Sequence, residues 1–154
     1  ELCTRGRHVM LGYLNKPEAT RDTIIDDWLH TGDVGYVDAE GYVFITDRKK
    51  ELVIKGGENI SPREIEEGLY GHPAIAEAAV FGIPDEIFGE NLAAAVVLRA
   101  GHSLTEEELK TFIGGYVTKF KVPAKIVFME ALPKGPSGKI LKRAIRDEMV
   151  SSKS

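Results

Sequence analysis

Short apolar runs alternate with turn-forming clusters along this chain, and the spacing of the apolar positions predicts its elements one by one. Glu1 to Met10 reads as extended. Asn15-Lys16-Pro17-Glu18-Ala19-Thr20 is a loop that leads into a short helix, and Trp28 to Thr31 is a short strand. Val34 to Val37 and Tyr42 to Thr46 form hairpin strands around Asp38-Ala39-Glu40-Gly41. Beyond Asp47, Leu52-Val53-Ile54 is an apolar strand that turns at Gly56-Gly57. Ser61-Pro62-Arg63-Glu64 opens a helix: the serine caps it, proline suits the first helical position, and Glu64 returns a hydrogen bond to the cap. This helix ends by Gly71, before His72-Pro73. Ala78 to Ile83 and Asn91 to Leu98 are strands. Thr105 and Glu108 make a second capping box, and that helix runs toward Gly114-Gly115. Lys125 to Met129 is a strand and Pro133 to Gly138 a loop. Ile140 to Val150 is a helix with Leu141, Ala144, Ile145 and Met149 on one face. Strands and helices mix without regular alternation, which predicts an α+β fold, a small sheet with helices packed on it. The pattern divides into a β-rich region, residues 1–46, and an α+β region, residues 47–154.

Composition narrows the function without naming one. The chain has 154 residues, 43% hydrophobic and 29% charged, which suits one ordinary soluble domain with an attached piece. Its formal net charge of −4 gives no general electrostatic attraction to nucleic acid or anionic membranes. The lone Cys3 has no internal disulfide partner, so a reducing, cytoplasmic setting is expected. There is no membrane-length apolar run and no signal-peptide pattern. The chain opens on Glu1 rather than methionine and reads as a piece of a longer protein. Its four histidines have no metal-ligand spacing, and His30 is expected simply to pack, so no protein-bound metal is expected.

Several polar clusters stand out in a fixed order. Trp28-Leu29-His30-Thr31-Gly32-Asp33 precedes Gly41-Tyr42. Asp47-Arg48-Lys49-Lys50-Glu51 follows, then Lys55-Gly56-Gly57-Glu58-Asn59-Ile60-Ser61-Pro62, and last Pro136-Ser137-Gly138-Lys139-Ile140-Leu141-Lys142. Each has a plain reading when taken alone. Asp33 is a turn aspartate, the charge run a solvated strip, Gly56-Gly57 a hairpin turn, and Lys139 a surface lysine. Lys142 and Arg143 read as solvated.

Together, in this order and spacing, the clusters resemble the adenylate-forming superfamily: acyl-CoA synthetases, peptide-synthetase adenylation domains and luciferases. The resemblance covers nearly the whole chain. It implies that residues 47–154 are the small mobile C-terminal lid domain of that fold, with a hinge at 47–50, and that residues 1–46 are the end of the large N-terminal domain. It implies ATP, Mg2+ arriving with ATP, and coenzyme A as co-substrate. Asp33 is then expected to hold the ribose hydroxyls of ATP, since a carboxylate can accept two bonds from a vicinal diol. Arg48 is assigned to the ribose and phosphate region, and Asn59 to the nucleotide. Lys50 takes the hinge position, where many relatives carry Asp. Gly56, Gly57 and Glu58 line the pantetheine channel of CoA. Lys139 matches the catalytic lysine, a flexible ammonium that bridges carboxylate and α-phosphate as charge develops.

The peptide-synthetase branch, which loads a carrier protein, more often reads Asn-Gly-Lys-Val-Asp-Arg at the last cluster. Ser-Gly-Lys-Ile-Leu-Lys and Gly-Gly-Glu-Asn here favour a CoA ligase. The rival from another class is a non-catalytic interaction module, and the isolated chain is expected to be inactive. Which acid is used, fatty, aryl or carnitine-like, stays open. Pro133 to Lys139 reads Pro-x4-Gly-Lys, which resembles the acetylation site of bacterial acyl-CoA synthetases and implies a protein acetyltransferase acting at Lys139.

Overall fold

In the computed structural model, which describes residues 1–151, contacts divide the chain into two units, Glu1–Lys50 and Glu51–Ser154. The first unit holds β1 (Cys3–Thr4), α1 (Pro17–Thr23), β2 (Ile24–Ile25), β3 (Trp28–His30), β4 (Asp33–Val37) and β5 (Val43–Arg48). β1, β3 and β2 form an antiparallel sheet in that order, with Cys3 opposite His30 and Ile24 opposite Leu29. Asp26 and Asp27 join β2 to β3 at φ 50° and 65°. Two successive left-handed residues give the turn that matches the twist of a two-residue hairpin. β4 and β5 pair antiparallel with a bulge at Val34/Gly35. A Cβ on Gly35 would lie 2.2 Å from the Phe44 carbonyl, so only glycine fits there. Asp38 Oδ1 accepts from the amides of Glu40 and Tyr42 and closes the hairpin loop. The extended stretch expected over residues 1–10 shrinks to Cys3–Thr4, because no other part of it finds a strand to pair with. Among the described residues this unit buries no apolar side chain: every buried hydrophobic lies in the second unit.

The second unit holds β6 (Val53–Lys55), β7 (Glu58–Ile60), α2 (Pro62–Tyr70), β8 (Ile75–Asp85), β9 (Gly89–Leu98), α3 (Glu106–Ile113), β10 (Lys125–Phe128) and α4 (Lys142–Ser151). β9 is the central strand. It pairs antiparallel with β8 along its length, parallel with β10 over Ala93 to Val96, and with β6 at Gly89, while β6 carries β7. Side chains alternate faces along a strand. Leu92, Ala94 and Val96 therefore join one core with Ile65 and Leu69 of α2 and Leu109 and Ile113 of α3. Ala93 and Ala95 join a second core with Ile145 and Met149 of α4. A strand covered on both faces reads as an unbroken apolar run, as Leu92 to Val97 does. A Cβ on Gly68 would lie 2.6 Å from Ile113 Cδ1, so glycine there permits the close approach of α2 to α3. The result is the α+β arrangement expected from the pattern.

Three local expectations differ from the structure. Ser61 sits at the N-cap of α2 with extended backbone, yet its side chain makes no capping bond. Glu64, expected to complete that box, is instead held by Lys121 Nζ at 2.9 and 2.7 Å from its two oxygens. α4 begins at Lys142, one residue past Leu141, which is exposed, as is Ala144. The buried stripe narrows to Ile145 and Met149. Lys142 is not simply solvated: its Nζ lies 2.8 Å from Glu66 and 3.5 Å from Glu51. The Thr105–Glu108 box of α3 forms in both directions. No helix among the described residues is long and apolar enough to cross a membrane.

Candidate functional site

The first unit assembles two of the expected nucleotide-facing residues. Thr31 Oγ1 donates to the Leu2 carbonyl at 2.7 Å and accepts from the Asp33 amide at 3.1 Å. Gly32 turns at φ 74° and its carbonyl accepts from the Lys49 amide at 2.8 Å. This threonine–glycine turn fixes where β4 begins. Asp33 then falls directly opposite Arg48 in the β4–β5 register, and Arg48 Nε bonds Asp33 Oδ1 at 2.9 Å. Asp33 is largely covered while Arg48 is open to solvent. The neighbouring Asp47 is buried, and its Oδ1 accepts from the Arg48 amide at 2.7 Å, which holds the strand end in place. Lys50 lies in a single 3-10 turn, Lys49–Glu51, and is exposed.

In the second unit Gly56 and Gly57 form the β6–β7 turn at φ 57° and 88°, the left-handed pair that a tight hairpin needs. The Gly56 amide donates to the Phe88 carbonyl at 2.9 Å. Beside it, Lys55 is buried and its Nζ donates to the Phe120 carbonyl at 2.7 Å. The Lys55 ammonium also faces the Phe120 ring at 4.5 Å and the Phe88 ring at 5.5 Å. Burial lowers its pKa, with Asp85 acting in the opposite sense. Thus the turn is pinned on one flank, while a Cβ on Gly57 would meet nothing within 4 Å. Glu58 and Asn59 are exposed on β7.

Lys139 lies in a loop closed on itself. The Gly135 amide donates to the Lys139 carbonyl at 2.9 Å, the Gly138 amide to the Gly135 carbonyl at 2.9 Å, and Lys134 bridges Ile140. Gly138 adopts φ 78° immediately before the lysine. Lys139 is exposed and makes no ion pair among the described residues. Its neighbours differ: Lys134 pairs with Glu77, and Lys142 with Glu66 and Glu51. The loop therefore presents one uncommitted ammonium.

The structure brings Asp33 and Arg48 together directly, and Gly56 through Asn59 on one hairpin; Lys139 stands on its own loop. Sequence reasoning passed over Lys55. The signal was present in the alternation of β6, where Val53 and Lys55 are buried and Ile54 is exposed.

With this geometry in view, similarity to known proteins places the second unit. Residues 64–139 match the family model of the AMP-binding enzyme C-terminal domain. Over 96% of its length it is 46% identical to a fatty acid–[acyl-carrier-protein] ligase of Streptomyces coeruleorubidus, spanning 28% of that protein. It is 48% identical over 96% of its length to a long-chain-fatty-acid–CoA ligase of Bacillus subtilis, spanning 26% of it. Among solved structures it matches ATP-bound MatB from Rhodopseudomonas palustris with TM-score 0.87 and 39% identity, covering 94% of this chain and 29% of that one. The chain thus spans less than a third of the length of each of these relatives.

Proposed function

We propose that the chain is the C-terminal portion of an adenylate-forming acyl-CoA synthetase. The whole protein would join a carboxylate to the α-phosphate of ATP, giving acyl-AMP and pyrophosphate. The thiol of CoA would then attack the acyl carbon, giving acyl-CoA and releasing AMP. The observation that carries this reading is the family match over residues 64–139 combined with ligase relatives of up to 48% identity.

In this reading Lys139 neutralises charge between carboxylate and α-phosphate, and its uncommitted ammonium in a glycine-bounded loop supports that role. Asp33 accepts the ribose hydroxyls; one of its oxygens already holds Arg48, which orients the carboxylate. Arg48 faces the ribose and phosphates and Asn59 the nucleotide. Mg2+ arrives with ATP, held mostly by phosphates. Gly56, Gly57 and Glu58 meet the pantetheine arm, and the open side of Gly57 supports close approach of a ligand to the backbone. Lys50 is the hinge about which residues 47–154 rotate between the two half-reactions. Residues 1–46 belong to the end of the larger domain, and their lack of any buried apolar side chain supports this. The partners are the acid, CoA, the rest of the same protein, and a protein acetyltransferase acting at Lys139. The setting is the cytoplasm.

The test uses the full-length protein with ATP, Mg2+ and a panel of fatty and aryl acids, reading pyrophosphate and then CoA-dependent thioester. Failure to release pyrophosphate with every acid overturns the reading. The isolated 154-residue chain should give no turnover. A second acceptor is favoured by the relative that loads an acyl carrier protein. A holo-carrier protein placed in competition with free CoA decides between the two thiols.

A further inference from the structure

The first unit carries a cluster that the proposed ligase chemistry does not use. Cys3 lies on β1 and Glu1 stands two residues before it, just outside the strand. Register then sets His30 of β3 directly opposite Cys3. One donor atom from each of the three lies within 4.8 Å of the other two. His30 Nδ1 is 3.0 Å from Glu1 Oε2 and 3.6 Å from Cys3 Sγ. Both contacts fall on the same ring nitrogen. A Cys–His–Glu relay is therefore excluded, because a relay needs the carboxylate on one imidazole nitrogen and the thiol on the other.

Three unlike donors converging on one point is instead the arrangement of a metal ligand set. A thiolate, an imidazole and a carboxylate suit Zn2+ and disfavour Mg2+ and Ca2+, which take oxygen ligands. Bond lengths around tetrahedral zinc place neighbouring donors about 3.4–3.7 Å apart; the 3.6 Å between His30 Nδ1 and Cys3 Sγ falls in that range, while the 3.0 Å between His30 Nδ1 and Glu1 Oε2 is shorter and must open as the ion enters. A positive charge already sits at the position: Lys49 Nζ lies 3.1 Å from Glu1 Oε2. The remaining carboxylate oxygen, Oε1, accepts from the Gly32 amide at 3.1 Å, an outer bond that fixes the orientation of the carboxylate.

We propose that Glu1, Cys3 and His30 form a Zn2+ site with three protein ligands and one open position, and that Lys49 occupies it electrostatically in the absence of the ion. The cation displaces the Lys49 ammonium from Glu1, and the proton shared between His30 and Glu1 and the proton of the Cys3 thiol leave to solvent. Because Lys49 neighbours the Asp33 partner Arg48 and also Lys50, occupancy is coupled to the strand end that leads into the proposed hinge.

The experiment is calorimetric titration of the reduced chain with ZnCl2, paralleled by Co2+ absorption as a report on thiolate ligation. One equivalent should bind, with a thiolate-to-cobalt charge-transfer band, and Mg2+ should not compete. Cys3→Ser is a near-isosteric change at an exposed position. It should remove the band and weaken binding by more than about a hundredfold, since losing even an outer-shell partner costs about ten- to a hundredfold. Lys49→Ala should tighten binding, because it removes the competing cation, and a nonspecific surface site has no reason to respond in that way. No binding, binding unchanged in Cys3→Ser, or binding that follows His72 or His102 instead overturns the proposal.

Discussion

At the scale of single residues, what distinguishes Lys139 from the lysines around it is pairing. Lys142 joins α4 to Glu66, which also accepts from the Val80 amide at 2.7 Å, so it ties a helix to the edge of the sheet core. Lys142→Ala should lower stability toward denaturant by about 1 kcal/mol, the upper range for a partly exposed pair. Lys139→Ala should leave stability within about 0.5 kcal/mol, as an exposed and unpaired position allows. In the full-length protein the order reverses for chemistry. Lys139→Ala should slow pyrophosphate release about a hundred- to thousandfold, the usual cost of one well-placed charge donor, and should leave thioester formation from preformed acyl-adenylate within a few-fold. Single-turnover assays of both half-reactions on one preparation check this, and an equal loss in both would make Lys139 structural. The same contrast predicts that an acetyltransferase modifies Lys139 above Lys134 and Lys142, readable by mass spectrometry. Glu1 offers a test by pH. Hydrogen bonds from His30 first, then Lys49, hold its carboxyl down from 4.5 to about 2. A depressed carboxylate contributes stability that is complete above its unfolded value and is lost as pH falls from about 4.5 toward 2. Glu1→Gln should flatten the acid limb of the first unit's unfolding profile. The loop that bears Lys139 was legible in the sequence because its proline, serine and glycine residues mark it. The commitment of Lys142 was not, because Glu66 is remote in the sequence and meets it only after β8, α2 and α4 have packed.

Elements divide in the same way, by whether their determinants are local. The α3 capping box needs only Thr105 and Glu108, three residues apart, and it forms as the sequence implies: the Glu108 amide donates to Thr105 Oγ1 at 3.2 Å, and the Thr105 amide donates to Glu108 Oε2 at 2.8 Å. Thr105→Ala should therefore cost about 1 kcal/mol, seen as a lower denaturation midpoint with an unchanged slope. The equivalent pair at α2 fails because Lys121, brought in by the turn after α3, takes Glu64 first. Local pattern could not anticipate that competitor. β8 and β9 were legible in their apolar centres but run longer than the apolar runs, Ile75–Asp85 and Gly89–Leu98, because pairing continues through polar residues once the hairpin is set. β2 and β7 are only two and three residues long and carry too little pattern to be read alone. The stripe of α4 was read too wide, since Leu141 precedes the helix and Ala144 falls on its open side.

For the molecule as a whole, the decisive contrast is where apolar surface is buried. The second unit has two cores on the two faces of β9. The first has strands, a short helix and a stacked Tyr36–Phe44 pair at 5.1 Å, but Leu11, Leu14, Tyr36, Val37, Tyr42, Val43 and Ile45 all stay exposed. Apolar burial is the main favourable term in folding, about 25 cal/mol per Å², so the two units should differ in their resistance to opening. Native-state hydrogen exchange reads that difference amide by amide. Amides of β8 and β9 should exchange slowest, at the rate set by global unfolding of the second unit. Those of β4 and β5 should exchange much faster despite equally regular ladder hydrogen bonds, because no core must be broken to release them. The change between the two regimes should fall near Lys50 and Glu51, where contacts divide the chain. Uniform protection across that point would mean that the first unit draws stability from the second, and a hinge at Lys50 would then lose its physical basis. In the full-length protein the same amides of β4 and β5 should become protected, because the larger domain proposed above would cover the side chains left bare here. If they stay fast there, residues 1–46 are not part of a larger domain. A further substitution separates hinge from core. Lys50→Ala should retain both half-reactions, whereas Lys50→Pro, which fixes φ in the single turn that must rotate, should spare one and abolish the other. Loss of both would assign Lys50 to folding rather than to motion.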